Sequence, residues 1–351
     1  MNQTVLLTGH YGYIGMVMAQ CLHKKGFQIV GLDSELFNDC ILKSFDIPIR
    51  TIFKDMRDLD AGDLEGIDAV IHLAGLSNDP LGDLAKNLTH HINTEASIQL
   101  ATLAKDAGVS RFIFSSSCSL YGIAADGAPL KETGKLNPIT EYAKSKAAVE
   151  EHVFKMADEK FHPTFMRNAT VFGDSPNLRW DLVVNNLVAW GYLTGKITIL
   201  SDGTPWRPLV HVEDLCRAFI AVLQAPIEKI HNEAFNIGCN SNNYTVKEIA
   251  EQVKEVVPAT EVEILNSAES DQRTYKVDFR KFAAAFPEAV PQWSLRRGIE
   301  ELHQIFKESN FTQKDLEAPH FFRVRWIKHL LEDRLTGDLR WKVHSRKTIG
   351  S

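Results

Sequence analysis

The chain has no Cys-x-x-Cys pair, no surplus of basic charge and no apolar run of the roughly 20 residues that spans a bilayer. Each absence removes a class of protein. The five cysteines, Cys21, Cys40, Cys118, Cys216 and Cys239, are odd in number and far apart, so neither a disulfide framework nor a zinc site follows from them. A net charge of −6 argues against a nucleic-acid binder, which would carry a basic excess. The opening MNQTVLLTGH lacks a basic stretch ahead of a long apolar run, so no secretory signal is expected. Asn-x-Ser/Thr triplets such as the one at Asn87 then count as accidental. The expectation is a soluble cytoplasmic protein. Its 351 residues, 44% hydrophobic and 24% charged, suffice for a large core divided between two domains.

What is present is an alternation. TVLLTG, FQIVGLD, AVIHLAG and RFIFSSS read as short strands buried on both faces. Between them lie helical patterns, GMVMAQCLHKKG and TEASIQLATLAKDAG, each closed by a glycine. Strand–helix alternation of this kind predicts βαβ units and a doubly wound parallel sheet of Rossmann type, an α/β fold. After about residue 170 the texture changes. WDLVVNNLVAWGYLTGK reads as a helix, RPLVHVEDLCRAFIAVLQA as a strand and helix, EAFNIGC as a strand, and TVKEIAEQVKEVV as an amphipathic helix with Thr245 as its N-cap. The expected division is a dinucleotide-binding domain over 1–170, with 207–240 returning to it. A smaller, discontinuous α/β substrate domain takes 171–206 and 241–311, and a helical extension 312–351. That tail mixes Arg and Lys with Asp and Glu, which predicts a solvated helix or a partner contact.

In LLTGHYGYIG, Gly9, Gly12 and Gly15 follow a strand and open a helix. That context turns a weak motif into a phosphate-binding one. Gly9 permits the tight turn, Gly12 the close approach of a pyrophosphate, and Gly15 close helix packing, while the helix N-terminus offers N–H groups to the phosphates. Asp33 ends the next strand 18 residues after Gly15, where a carboxylate accepts both ribose hydroxyls and repels a 2′-phosphate. This predicts NAD rather than NADP; the competing reading of Asp33 is a strand-end turn former.

Tyr142 and Lys146 stand four apart in TEYAKSKAAVEE, which places both on one helix face. A tyrosine working as a base near neutral pH needs about 3 units of pKa depression, roughly 4 kcal/mol. A neighbouring ammonium favours the phenolate. A second copy, Tyr192 and Lys196 in YLTGK, is interrupted by Thr-Gly and is expected to be structural. Ser117 lies just past a strand, 25 residues before Tyr142, where its hydroxyl could hydrogen-bond a substrate oxygen. Its competing reading is a strand-end cap. His90 and His91 come without a carboxylate motif, so no metal is expected, and His211 reads as a packed strand residue.

Together TGHYGYIG, GLD, KDMRD, AVIHLAG, FIFSSSCSLYG, YAKSK, MRNATVFG, NNL and RPLVHVED resemble the extended short-chain dehydrogenase/reductases of the NAD-dependent epimerase/dehydratase family, and within it the nucleotide-sugar 4-epimerases. The resemblance implies that Ser117, Tyr142 and Lys146 are catalytic. Tyr11, Tyr13 and Ile14 would join the three glycines and Asp33 around NAD. So would Asp55, Met56, Leu73, Ala74, Gly75, Asn93 and Ser115. A nucleotide-diphosphate sugar would meet Ser117, Cys118, Thr170, Asn186, Arg207 and Arg273, and a homodimer is expected. Three departures stand out. Ala268 occupies a position where many relatives have Arg before the residue matching Asp271, with Arg273 the candidate replacement. Ser117-Cys118-Ser119 stands where dehydratases have Thr-Asp-Glu, and Ser77 where some 4-epimerases have Lys. The expected function is C4 epimerisation of a hexose through a 4-keto intermediate. The alternatives are a dehydrogenase, reductase or dehydratase of the same family, and a non-enzymatic NAD-binding scaffold.

Overall fold

The four doubly buried runs form strands β1 (Thr4–Thr8), β2 (Gln28–Asp33), β4 (Ala69–His72) and β5 (Arg111–Ser117), with β3 (Arg50–Phe53) between the second and third of them. The computed structural model describes residues 3–77, 86–123, 127–267 and 273–343; Ala268 and Asp271 lie outside the described residues. Further strands are β6 (His162–Asn168), β7 (Thr170–Phe172), β8 (Lys196–Ile199), β9 (Trp206–His211), β10 (Glu233–Ile237), β11 (Asn243–Thr245) and β12 (Glu261–Ile264). The main sheet has seven strands in the order β10-β6-β5-β4-β1-β2-β3, every pair parallel. This is the doubly wound α/β fold, and its strand order reverses between β1 and β4, where such sheets open a crevice at their carboxyl ends.

Alternate side chains of each strand feed opposite layers. Val5 and Leu7 pack with Val17 and Leu22 of helix α1 (Tyr13–Lys24), whereas Leu6 packs with Leu100 and Ala104 of α2 (Ala96–Asp106) and Val149 of α3 (Glu141–Phe154). Helices α1 and α2 end before Gly26 and Gly108, both at φ +81°. At that φ a side chain would clash with its own backbone, which is why glycine closes them.

Helix α4 (Val183–Thr194) belongs to a second core with Trp180 and Phe172. The chain then splits its return. β9 pairs with β7 and β11 in a small three-stranded sheet, while α5 (Val212–Gln224) and β10 rejoin the main sheet, and Tyr275, Phe279, Phe282 and Phe286 pack on the same core. Helix α6 (Val246–Val256) starts at Thr245, whose hydroxyl caps Glu248 N while the Glu248 carboxylate returns to Thr245 N. Helix α7 (Leu295–Glu308) completes the second core. No helix among the described residues is long and apolar enough to cross a membrane.

Helix α8 (Arg323–Asp333) has a solvated face with Lys328, His329, Glu332 and Asp333 exposed, while Trp326, Ile327 and Leu330 on the other are buried against Leu36, Cys40 and Leu76 of the N-terminal half. The charges flanking this apolar stripe hid it in the sequence.

Candidate active site

At the end of β1, Gly9 turns at φ +71° and its N–H donates to Leu32 O (2.7 Å). A Cβ there would sit 3.0 Å from the Ala74 backbone after β4. At Gly15 a Cβ would fall 2.0 Å from Gly9 O, so α1 packs directly on the turn. Gly12 differs: its φ is −72°, and a Cβ would meet only Gly9 O at 3.1 Å. Gly12 is the N-cap of α1, no side chain caps that end, and its first turn carries no acidic residue. Uncapped N–H groups and the positive end of the helix dipole therefore face a cavity.

Gly9, Gly12 and Gly15 line that cavity with Asp33, Asp55 and Met56, and Leu73, Ala74 and Gly75 close its far side. Asp33 Oδ2 accepts from Tyr11 N (3.1 Å) and Oδ1 from Glu35 N (2.9 Å). It is thus a turn former and a cavity carboxylate at once. Asp55 is gripped by Arg57 through Nε (2.9 Å) and Nη2 (2.7 Å). Two further residues expected around NAD are not among those that line this cavity. The Tyr11 ring lies parallel to Phe53, 6.3 Å between centroids, and its backbone N–H donates to Asp33. Asn93, buried on a π-helical turn, accepts from Leu76 N (2.7 Å) and donates to Leu76 O (3.0 Å), holding the strand-end backbone in place.

A second cavity adjoins the first and shares Tyr13, Ile14, Leu73, Gly75, Ser77 and Arg179 with it. Ser115, Ser117, Tyr142 and Lys146 line it, as do Thr170, Asn186, Arg207 and Arg273. Thr140 caps α3 through Ala143 N (3.2 Å), which sets Tyr142 in the first turn and Lys146 one turn later. Lys146 Nζ lies 5.7 Å from the Tyr142 ring centroid and donates to Ser115 O (2.8 Å) at the end of β5. Burial pushes this ammonium down to about 8, with Glu150 opposing the shift. Ser117 Oγ accepts from Ser119 N (3.1 Å), so the serine caps a strand end and lines the cavity together. Asn186 donates to Trp180 O (2.7 Å), and Arg207 Nη1 to the Arg273 carbonyl (2.5 Å).

Cys118 is a correction. Its thiol donates to Arg167 O (3.1 Å), lies in the core under the sheet, and is pushed up by burial. The short helical turn after Ser117 rotates Cys118 inward and brings Ser119 to the cavity in its place. Ser119 Oγ has no hydrogen-bond partner among the described residues.

Three features were missed in the sequence. Glu150, one turn beyond Lys146, forms a buried fork with Arg167 (Nη2 to Oε2, 2.7 Å) and accepts from Ser116 Oγ, locking α3 to β5 and β6. Arg179 forks onto Asp181 (Nε to Oδ1, 2.8 Å) and donates from Nη1 to Ser77 Oγ (3.0 Å). Arg323, from the tail, lines the first cavity, while Phe322, Val324 and Arg325 line the second. The Glu150 pairing follows the helix period from Tyr142 and Lys146 and could have been sought there; no local signal marks the other two. His211 is packed against Trp293, 3.9 Å between ring centroids, with Nε2 2.9 Å from Glu301 Oε2. His90 and His91 both reach Glu95, and no group of three or more metal-ligating side chains gathers among the described residues.

The profile of the NAD dependent epimerase/dehydratase family matches residues 5–238. A UDP-glucuronate 4-epimerase of Thermodesulfobacterium geofontis is 26% identical over 333 residues, spanning 87% of this chain and 96% of that protein. A UDP-glucose 4-epimerase of Lactobacillus helveticus is 31% identical over 277 residues, 72% of this chain and 81% of the other. Among solved structures, MoeE5 in complex with UDP-glucose and NAD superposes with a TM-score of 0.75 at 25% identity, covering 88% of this chain and 100% of its own.

Proposed function

The chain belongs to the NAD-dependent epimerase/dehydratase family, and from that premise we propose that it epimerises a nucleotide-diphosphate hexose at C4 through a 4-keto sugar. One observation carries the reading. Tyr142 and Lys146 line a cavity that shares a wall with the cavity of the glycine turn. Residues 1–170, with α5 and β10, then hold the dinucleotide, and 171–206 with 241–311 hold most of the sugar nucleotide.

The first cavity fits NAD. The uncapped α1 N-terminus suits its phosphates. The Asp33 carboxylate, fixed by two backbone N–H groups, suits a ribose diol and disfavours a 2′-phosphate. Bound NAD supplies a reversible hydride acceptor. Tyr142 takes the proton of the C4 hydroxyl, with the Lys146 ammonium beside its ring favouring the phenolate. Ser117 Oγ already accepts from Ser119 N, which leaves its own proton for the substrate oxygen. Arg207 and Asn186 hold the diphosphate, a task for which guanidinium geometry is suited, with Arg273 beside them. The cavity leaves room for the keto sugar to turn over before reduction on its other face.

Elimination of water is disfavoured by the same geometry. It needs an acid at the C6 hydroxyl and a base at C5. Cys118 faces the core, and a serine such as Ser119 near its ordinary pKa is no base at neutral pH. NMR of candidate nucleotide sugars in deuterated water tests the proposal. The expected result is a second diastereomer with no deuterium at C5; a 6-deoxy-4-keto product overturns it. Asp33→Asn should weaken NAD binding and narrow the preference over NADP, and an unchanged preference would reduce Asp33 to a turn residue.

A further inference from the structure

The tail crosses the whole molecule to reach the mouth of the dinucleotide cavity. Trp326 Nε1 donates to Leu36 O (2.6 Å) and Trp341 Nε1 to Ser34 O (2.7 Å), both just beyond Asp33. Arg340 pairs with Asp58 (2.5 Å) beside the Asp55 turn, and Leu339 lines the cavity itself.

At the inner end of the same segment stands Arg323. Its side chain is buried and lines the cavity. Nη2 donates to Asn177 Oδ1 (2.5 Å), and the Phe37 ring lies 4.4 Å from the guanidinium carbon. Nη1 has no hydrogen-bond partner among the described residues. A buried guanidinium N–H left unpaired forfeits its hydration without return.

The charges around it do not balance. Arg179 also lines this cavity, and its fork takes up the Asp181 carboxylate, whose Oδ2 also accepts from the Arg323 backbone N–H (3.1 Å). The neighbouring Cys40 thiol is pushed up to about 12 by burial and so contributes no anion near neutral pH. Two guanidinium groups thus share one carboxylate. Burial, then Arg179, lower the Arg323 guanidinium to about 10, the direction expected of a cation short of counter-charge. Ser77, where a family lysine could have stood, is occupied by Arg179 Nη1.

We infer that the C-terminal segment completes the cofactor site, with Arg323 supplying a guanidinium to the diphosphate of the dinucleotide and the 339–341 strap covering its adenosine end. The inference rests on the assignment of the first cavity to NAD. The α1 N-terminus and Arg323 both face this cavity, so that binding the dianion pairs Nη1 and supplies the counter-charge that the guanidinium lacks.

The experiment compares NAD and adenosine binding by calorimetry in the full chain and in Arg323→Gln, with UDP binding measured on NAD-saturated protein. Arg323→Gln should weaken NAD by about 10- to 100-fold, the scale of a lost charge-assisted hydrogen bond. Adenosine, which has no phosphate, and UDP should change by less than about threefold, and Arg323→Lys should recover part of the loss. Equal losses for NAD and adenosine would reduce Arg323 to packing. Loss of UDP with NAD unchanged would give it to the substrate's diphosphate, and either result overturns the inference. A second measurement needs no variant. In the unmodified chain, amides of 323–341 should exchange hydrogen at least tenfold more slowly once NAD is added, and unchanged exchange overturns the strap. A full chain that binds no NAD would fail the cofactor assignment itself, an outcome distinct from all of these.

Discussion

Tyr142 and Lys146 lie one turn apart on α3, whereas Tyr192 lies in the last turn of α4 and Lys196 begins β8 beyond Gly195, which turns at φ +70°. The first pair shares a cavity wall. In the second, the Tyr192 ring packs on His303 and Phe306, 5.7 and 5.9 Å between centroids, while Lys196 leaves to pair with Glu263 (2.9 Å). Identical spacing therefore brings two side chains to one cavity only where an unbroken helix keeps them on one face and tertiary packing turns that face toward the cavity.

The comparison can be broken most forcefully at Tyr142. Tyr142→Phe should lower kcat by about 10²–10⁴-fold, the scale of a positioned acid–base group, while the melting temperature stays within a few degrees. A variant with near-normal kcat would remove α3 from the catalytic assignment.

Lys146→Met comes next, with a loss of kcat of about 10²-fold in steady-state assays. Here the pH profile is the sharper readout. Burial holds the ammonium near 8, so the group is charged below that pH and neutral above it. Support for the phenolate should fade as pH rises through about 8, giving kcat an alkaline limb that Lys146→Met abolishes. An alkaline limb unchanged in the variant would assign it to another group.

A smaller effect, on stability alone, is expected at the break in the second copy. Gly195→Ala forces a side chain into positive φ, with its Cβ 3.2 Å from Ala259 O, and should cost about 1–2 kcal/mol in chemical denaturation. Its kcat should not move. Smallest of all is Tyr192→Phe, which should leave kcat within about twofold; a large loss there would invert the comparison.

Most of the main sheet was readable because its signals are local. A run such as AVIH, apolar on both faces, has few alternatives to a central parallel strand, and all four of its residues are buried. Thr245 marked the start of its own helix, and the structure adds the return bond of the Glu248 carboxylate. The dinucleotide turn was readable for the same reason, since Gly9 and Gly15 are demanded by backbone atoms within a few residues of them or at the adjacent strand end. What Asn93 and Tyr11 pack against was not legible, because partners such as Leu76 and Phe53 lie far from them in the chain and spacing does not reveal them.

By itself, the sequence determined five strands of the main sheet, the helix that Thr245 opens, the glycine turn and the shared helix face of Tyr142 and Lys146, all of which follow from patterns among residues a few positions apart. Tertiary structure alone decided that Cys118 turns to the core and Ser119 to the cavity, and that Glu150 meets Arg167. It also decided where the tail lies. Trp326 finds Leu36 across 290 residues, Arg340 finds Asp58 across 282, and Trp341 finds Ser34 across 307. Such contacts leave no periodicity behind, because the loop that joins them constrains neither partner until the sheet between them has formed.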